Sequence, residues 1–477
     1  MPPDPSVQPE FFGDVILVNG QAWPYANVEP RKYRFRVLNG SDSRFYNLWL
    51  GTTTGNPTAP DNSGPPFTVI GTDDGLLYKP VRAQTLTIGP GERYDVIIDF
   101  AAAKGKTLVV RNNARTPFPN GAKVNTKTTG VIMKFVVGKT VTTPDLALPA
   151  TLRAQPINPQ QDIGTPTRTR KLLLFEGTDQ YGRLQPMLGT AEPVVDVAGN
   201  QVEGTMLWDE MIDPITENPM VGDVEVWEIY NSTMDAHPIH PHLVSFQLLS
   251  RQGFSATILP KTNPTHDGAQ SQGGILRSIK LLGTPKGPKA IEAGWKDTVL
   301  MYPGEVTRII ARFDREGAYV WHCHIISHED HEMMRPYHVG PFPAAGGAPM
   351  SKAVASPARV NSVTPPLASP ACKRPVAAVK PSRALASPPV KPAGIARAET
   401  TLFAAALERE LRSRRLPTSI REELLALRIE DEAGVSDPQC LDYVSEEDYR
   451  HIMGLAGPWR DDPWQCPDPW AGNRPRS

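Results

Sequence analysis

Two short stretches concentrate the residues of this sequence that could bind a metal. HPIHPHLVSF (His237 to Phe246) places three histidines within six residues. YVWHCHIISHEDHEMMRP (Tyr319 to Pro336) carries His322, Cys323, His324, His328 and, five residues further on, Met333. Thiolate, imidazole and thioether together form the soft-to-borderline donor set that copper favours, and a two-His, one-Cys site with a weak axial Met describes a blue electron-transfer copper. His237, Cys323, His328 and Met333 can supply that set. The plain reading, a β protein with satisfied core histidines, needs two independent coincidences of spacing and order.

Alternation adds a second expectation. Successive side chains of a strand face opposite ways, so His322 and His324 project together while Cys323 projects away from them. One strand can therefore hold a blue copper on one side and touch a different metal site on the other, only a few covalent bonds away. His240 and His242, also two apart, share a face in the same way.

The rest of the chain must supply the strands. From about Phe12 to Gly138, short apolar runs of period two (YRFRVLNG, YDVIIDF, TLVVRN, VIMKFVVG) are broken by Gly, Pro and Asn. After the Pro-rich connector TTPDLALPATLRAQPINPQQ a second set follows: KLLLFEG, VEVWEIYN, HLVSFQLLS, VTRIIARF and AYVWHCHI. Evenly spaced strands of this kind predict antiparallel sandwiches or barrels. The expected fold class is mainly β, with two consecutive β domains over residues 1–145 and 165–344.

Past Gly340 the composition turns to Pro, Ala, Ser and Val, with Lys352, Arg359, Lys373, Arg374, Lys380 and Lys391 and no acidic residue before Ala398. Residues 345–398 are read as a disordered cationic linker, a spacer first and a contact for an anionic partner second. Residues 399–458 change to helical periodicity, with capping-box pairs Ser419/Glu422 and Ser445/Asp448, and form a small all-α module. The tail 459–477, with WRDDPWQCPDPW, is expected to be disordered and is assigned no role.

At 477 residues the chain has room for two or three domains, and its net charge of -1 gives no overall push toward nucleic acid or membrane. Cys323, Cys372, Cys440 and Cys466 lie in unlike contexts, so no disulfide scaffold is expected. The opening MPPDPSVQPEFFGD has neither the basic nor the apolar region of an export signal, and no run reaches a membrane-spanning length. Localisation stays unassigned.

The two histidine-rich motifs together closely resemble the paired C-terminal copper signatures of multicopper oxidases, above all bacterial spore-coat laccases and bilirubin-oxidase-like enzymes. The resemblance runs from about residue 8 to 344. It includes ILVNGQAWPYANVEPRKYRFRVLNGSDSRFYNLWL (Ile16 to Leu50) and GERYDVIIDF, similar to the second cupredoxin domain of those enzymes, and GWKDTVLMYPGEVTRIIARF, similar to the third. It implies two cupredoxin-like Greek-key β-sandwich domains and copper as cofactor, up to four ions in a complete protein. It makes His237, Cys323, His328 and Met333 the type 1 ligands, His240 a type 2 ligand, and His242, His322 and His324 type 3 ligands of a trinuclear cluster that reduces O2 to water. Glu329 matches an acidic position that assists proton delivery, against its plain reading as a surface carboxylate. The end of the helical module, LDYVSEEDYRHIMGLAG, faintly resembles a sterile alpha motif domain, which implies a protein partner.

Departures from the family bear on function. A trinuclear cluster there takes eight imidazoles, half of them from two His-x-His pairs of an N-terminal first domain, and residues 1–236 of this chain hold no histidine. The expectation is a chain without the first domain, either a fragment or half of a split enzyme, whose missing ligands a second polypeptide would supply. His266, His338 and His451 are isolated and expected at the surface, and His331 is expected to be solvated. Pro241 stands where relatives usually carry Leu, which puts the geometry of His240 and His242 in question.

Three functional readings follow. The first is an oxidase that takes electrons from a small-molecule or metal-ion reductant and passes them to O2, the reductants being phenols, aromatic amines, bilirubin-like pigments or low-valent metal ions. The second is a type 1 copper electron carrier without oxidase activity. The third is a non-catalytic scaffold carrying an interaction module. FSATILPKTNPTHDGAQSQGGILRS (Phe254 to Ser278) reads as a long loop able to shape access to the type 1 site, and its lack of methionine favours organic reductants over cuprous ions.

Overall fold

Runs in which Val, Ile, Leu and aromatic residues alternate with polar ones fold as strands, because a pleated strand sends alternate side chains to the core and to solvent. The computed structural model describes residues 9–145, 147–207, 215–264 and 270–342. The linker, helical-module and tail expectations, together with His266 and His451, lie outside the described residues.

The first half comprises β1 (Leu17–Val18), β2 (Gln21–Ala22), β3 (Tyr25–Val28), β4 (Lys32–Leu38), β5 (Tyr46–Thr52), β6 (Phe67–Thr72), β7 (Gly75–Ala83), β8 (Leu86–Ile88), β9 (Arg93–Asp99), β10 (Thr107–Asn112) and β11 (Val131–Val137). A five-stranded sheet, β3-β11-β10-β5-β8, and a four-stranded sheet, β4-β9-β6-β7, share one core that contains Leu50, Val69, Ile88, Val96, Phe100 and Phe135.

The second half comprises α1 (Pro159–Asp162), β12 (Arg168–Thr178), β13 (Leu184–Val195), β14 (Gln201–Thr205), β15 (Val224–Asn231), β16 (His237–Pro241), β17 (Phe246–Pro264), β18 (Gln270–Lys286), β19 (Val299–Met301), β20 (Glu305–Arg312), β21 (Gly317–Cys323), α2 (Ile326–Asp330) and β22 (Met334–Val339). Its seven-stranded sheet, β14-β13-β12-β15-β20-β17-β18, packs through Trp227, Ile229, Phe246 and Ile309 against the four-stranded sheet β19-β16-β21-β22, which contributes Ile239, Trp321, Cys323 and Tyr337. The result is mainly β and cupredoxin-like. Among the described residues no helix is long and apolar enough to cross a membrane.

Strand pairing corrects two expectations. Phe254–Ser278 is no open loop: its described residues lie in β17 and β18, which pair from Arg251↔Lys286 to Pro264↔Gln270. Thr257, Ile258 and Leu259 face Arg277, Leu276 and Ile275 across the hairpin, so an insert that reads as a loop by its Gly and Pro content satisfies its backbone as a two-stranded arm. His338 is not a surface residue. It lies in β22 opposite Ala318, its ring rests 5.3 Å from that of Phe342, and it is 7% exposed, because β22 completes the four-stranded sheet and is buried along almost its whole length. His331 is half-buried.

The two halves meet across contacts far apart in sequence. The Phe45 and Phe118 rings stack at 4.9 Å, and Ala236 N–H donates to Phe118 O at 2.7 Å. Ser327 Oγ donates to Asp42 Oδ1 at 2.8 Å, which ties the short helix α2 to the β4–β5 turn.

Candidate metal centre

β16 and β21 lie side by side with Ile239 opposite Cys323 and His240 opposite His322, so one register brings both histidine-rich stretches together. Pro241 is the last residue of β16, beyond the point where β19 stops pairing with it at Ile239, so its missing N–H costs no ladder bond on that side.

On the core face, His237, Cys323 and His328 converge. Sγ of Cys323 is 3.6 Å from His237 Nδ1 and 3.7 Å from His328 Nδ1, and the two Nδ1 atoms are 3.3 Å apart. A cation at the centre of such a triangle sits about 2 Å from every corner, which matches the roughly 2.0–2.3 Å of metal bonds to imidazole and thiolate. All three side chains are buried. Met333 is fully buried in the same core, and the loop that presents it closes on itself, with Met333 N–H donating to His328 O at 2.8 Å and Cys323 N–H to Met333 O at 3.0 Å. The backbone N–H of Ile325 points at Sγ from 3.4 Å.

The electrostatics suit a bound cation. Burial pushes the Cys323 thiol well up, pulls His328 down to about 3, and, with the neighbouring His328, holds His237 well below the ordinary imidazole range. Neutral imidazoles are the form that ligates, and the thiolate that burial disfavours is stabilised by a metal's own charge. Outside the triangle, His237 Nε2 meets Thr233 Oγ1 at 2.8 Å and Glu176 Oε1 at 3.5 Å, contacts that fix which nitrogen faces inward. His328 Nε2 has no hydrogen-bond partner among the described residues and lies 3.8 Å from Glu10 Oε1. Burial, reinforced by the charges of Asp235, Glu176 and Asp42, raises Glu10 to about 8.

On the opposite face, His240, His242 and His322 form a second group, with His242 Nε2 and His322 Nε2 2.9 Å apart. Burial and the adjacent His240 and His322 pull His242 down to about 4. Nδ1 of His322 faces Cys323 O at 3.0 Å and Glu329 Oε2 at 3.2 Å, which leaves Nε2 for a ligand. His324 stands beside this group rather than inside it, its ring 5.8 Å from His240 and 5.7 Å from His322. Gly91 gives it room: at φ +79°, a Cβ there would lie 2.3 Å from the His324 ring. The sequence reading missed Thr233, Glu176 and Glu10, whose contacts with His237 and His328 depend on pairing between distant segments.

Comparisons with known proteins give the family. Family models described as multicopper oxidase match residues 8–133 and 185–343. A laccase of Bacillus stratosphericus is 43% identical over 338 residues, covering 70% of this chain and 56% of the relative. A laccase of Bacillus subtilis is 40% identical over 336 residues with the same coverages, and a bilirubin oxidase of Albifimbria verrucaria is 34% identical over 339 residues, covering 70% and 49%. The chain thus spans about half the length of the curated relatives it matches.

Proposed function

Because the chain belongs to the multicopper oxidase family, whose cofactor is copper, we propose that it serves the one-electron oxidation of a phenolic, aromatic or metal-ion reductant with O2 as the final acceptor. The observation that carries this reading is the back-to-back placement of the two donor groups on β21: Cys323 Sγ belongs to one, and its chain neighbour His322 belongs to the other. Copper would supply a one-electron couple at the first group and O2 reduction at the second. The protein's part is to hold the first donors in a dry pocket, to join the groups by a few covalent bonds, and to keep a carboxylate, Glu329, on the Nδ1 side of His322. Four further imidazoles for the second group have to come from outside residues 1–236, which contain none; a polypeptide carrying two His-x-His pairs would provide them.

A second reading, electron transfer at the first group alone, draws support from its complete and fully buried donor set beside a second group from which His324 stands apart. Copper counting, optical and paramagnetic spectra and oxygen uptake, measured with a polypeptide carrying two His-x-His pairs present, separate the two. Four coppers with reductant-dependent oxygen uptake support the oxidase. One copper with intense blue colour and no uptake supports the carrier, and no copper sinks both. The partner that the sequence of residues 399–458 leads one to expect is tested by comparing binding to the full chain with and without that segment.

A further inference from the structure

His240 is held, through Asp297, by a residue with which it shares neither strand nor half of the molecule. Its Nδ1 donates to the backbone carbonyl of Asp297 at 2.7 Å, with Thr298 Oγ1 at 3.3 Å as a longer second contact, so Nε2 is the nitrogen left to face a metal. Asp297 is in turn gripped by Arg93 from the first half: Nη1 donates to Oδ1 at 2.6 Å and Nη2 to Oδ2 at 2.7 Å, a two-pronged guanidinium–carboxylate pair. The guanidinium is itself aimed. Nη1 donates to Gly91 O at 3.1 Å, Nη2 donates to Asp73 O at 3.3 Å, and the Asp73 and Asp74 carboxylates lie within 3.8 Å.

The residues before Asp297 are fixed from the same side. Trp295 O accepts from Thr72 Oγ1 at 2.7 Å, and the fully buried Lys296 reaches Asp73 at 2.8 Å and Glu92 at 3.2 Å. Residues 295–297 thus take their position from residues 72–74 and 92–93 together with Phe246, whose backbone pairs with that of Lys296 at 2.8 and 3.0 Å, and Asp297 O takes its position with them.

We infer that Arg93 is a positioning residue for His240: by clamping the Asp297 carboxylate it fixes the carbonyl that selects the His240 tautomer and ring orientation. This rests on the reading above only in taking His240 as a metal ligand. Second-layer partners of metal-binding imidazoles commonly govern affinity by about 10–100-fold, whereas an ion pair that merely glues two halves together would affect both donor groups equally.

The test needs no turnover. In the metal-free, 15N-labelled full chain, long-range 1H–15N spectra report the tautomer of His240, assigned with a His240→Gln variant. Wild type is expected to show the Nδ1–H form, Arg93→Met a mixture, and Arg93→Lys, which keeps one ion pair, an intermediate. Zn2+ titrated into the same samples and followed at the His240 and His242 rings is expected to bind at least about tenfold more weakly in Arg93→Met. The blue absorption of copper-loaded protein, which reports the Cys323 group, is expected to be unchanged. Asp297→Asn, which retains the carbonyl but loses the charged clamp, gives the same pattern and decides the matter if Arg93→Met does not fold. An unaltered tautomer with unaltered Zn2+ affinity overturns the inference, as does parallel loss of the blue colour and of Zn2+ binding. Failure of the oxidase reading leaves the tautomer result standing.

Discussion

Cys323 and His322 are covalent neighbours that serve opposite sides of one strand: Cys323 Sγ lies 3.6 Å from His237 Nδ1 in the core, while His322 Nε2 lies 2.9 Å from His242 Nε2 on the other face. Each side is open to a separate test.

Replacing Cys323 with Ser should abolish the intense blue absorption of copper-loaded protein, because that colour needs a thiolate ligand. Copper bound at the second group is expected to persist. Optical spectra with copper counts check this, and an unbleached blue band in the variant would sink the assignment of the first group.

Glu329 approaches His322 Nδ1 at 3.2 Å. If it delivers protons, Glu329→Gln in a complete oxidase should slow oxygen uptake by roughly 100-fold or more while the rate at which reductant bleaches the blue band stays the same. Equal slowing of both rates would point to a structural effect instead.

Lys296 is fully buried between Asp73 and Glu92, across the contact of the two halves. Lys296→Met leaves the buried Glu92 without a cation and Asp73 with only the more distant Arg93, and is expected to cost about 3 to 5 kcal/mol. Denaturant unfolding measures this, and a loss below about 1 kcal/mol, as for a surface pair, would show that the triad is not shielded from water.

The pH dependence of the metal-free protein follows from two opposed sets of groups. His328 and His242 are depressed to about 3 and about 4, largely by burial, and His237 lies well below its ordinary value. The unfolded chain therefore binds more protons below about 6.5, and this contribution to stability is lost as the pH falls from there toward 3. Glu10 and Glu176, raised to about 8 and about 7 chiefly by burial, act in the reverse sense: their contribution is present below 4.5 and is lost as the pH rises toward 8. Stability should pass through a broad maximum between about pH 4.5 and 6.5. Urea midpoints of chelator-treated protein near pH 3.5, 5.5 and 8 check it, and a midpoint that climbs steadily to pH 8 contradicts it.

The residues that could bind metal were legible in the sequence because their spacing is local. His-x-His pairs at the ends of β16 and β21 and the five-residue steps from Cys323 to His328 to Met333 hardly depend on the rest of the chain. Period-two runs likewise announced most strands. What remained hidden depends on long-range register. His338 looked isolated because nothing nearby in sequence reveals that β22 is almost wholly buried, and the Phe254–Ser278 segment looked like a loop because Pro260 and Gly274 face each other only once β17 and β18 pair. Arg93 and Asp297 are 204 positions apart, and Glu10 meets a histidine more than three hundred residues away.

β21 carries a parity rule. Odd positions, Trp321 and Cys323, point to the core shared with Trp227 and Tyr337, and the even neighbour His322 points to the other face. A single residue inserted before Trp321 would exchange the two addresses, turning the thiol out and an imidazole in, without changing any ligand type; a pair of inserted residues would restore the assignment. The identity of each metal group is thus written in the count of residues along one strand as much as in the residues themselves.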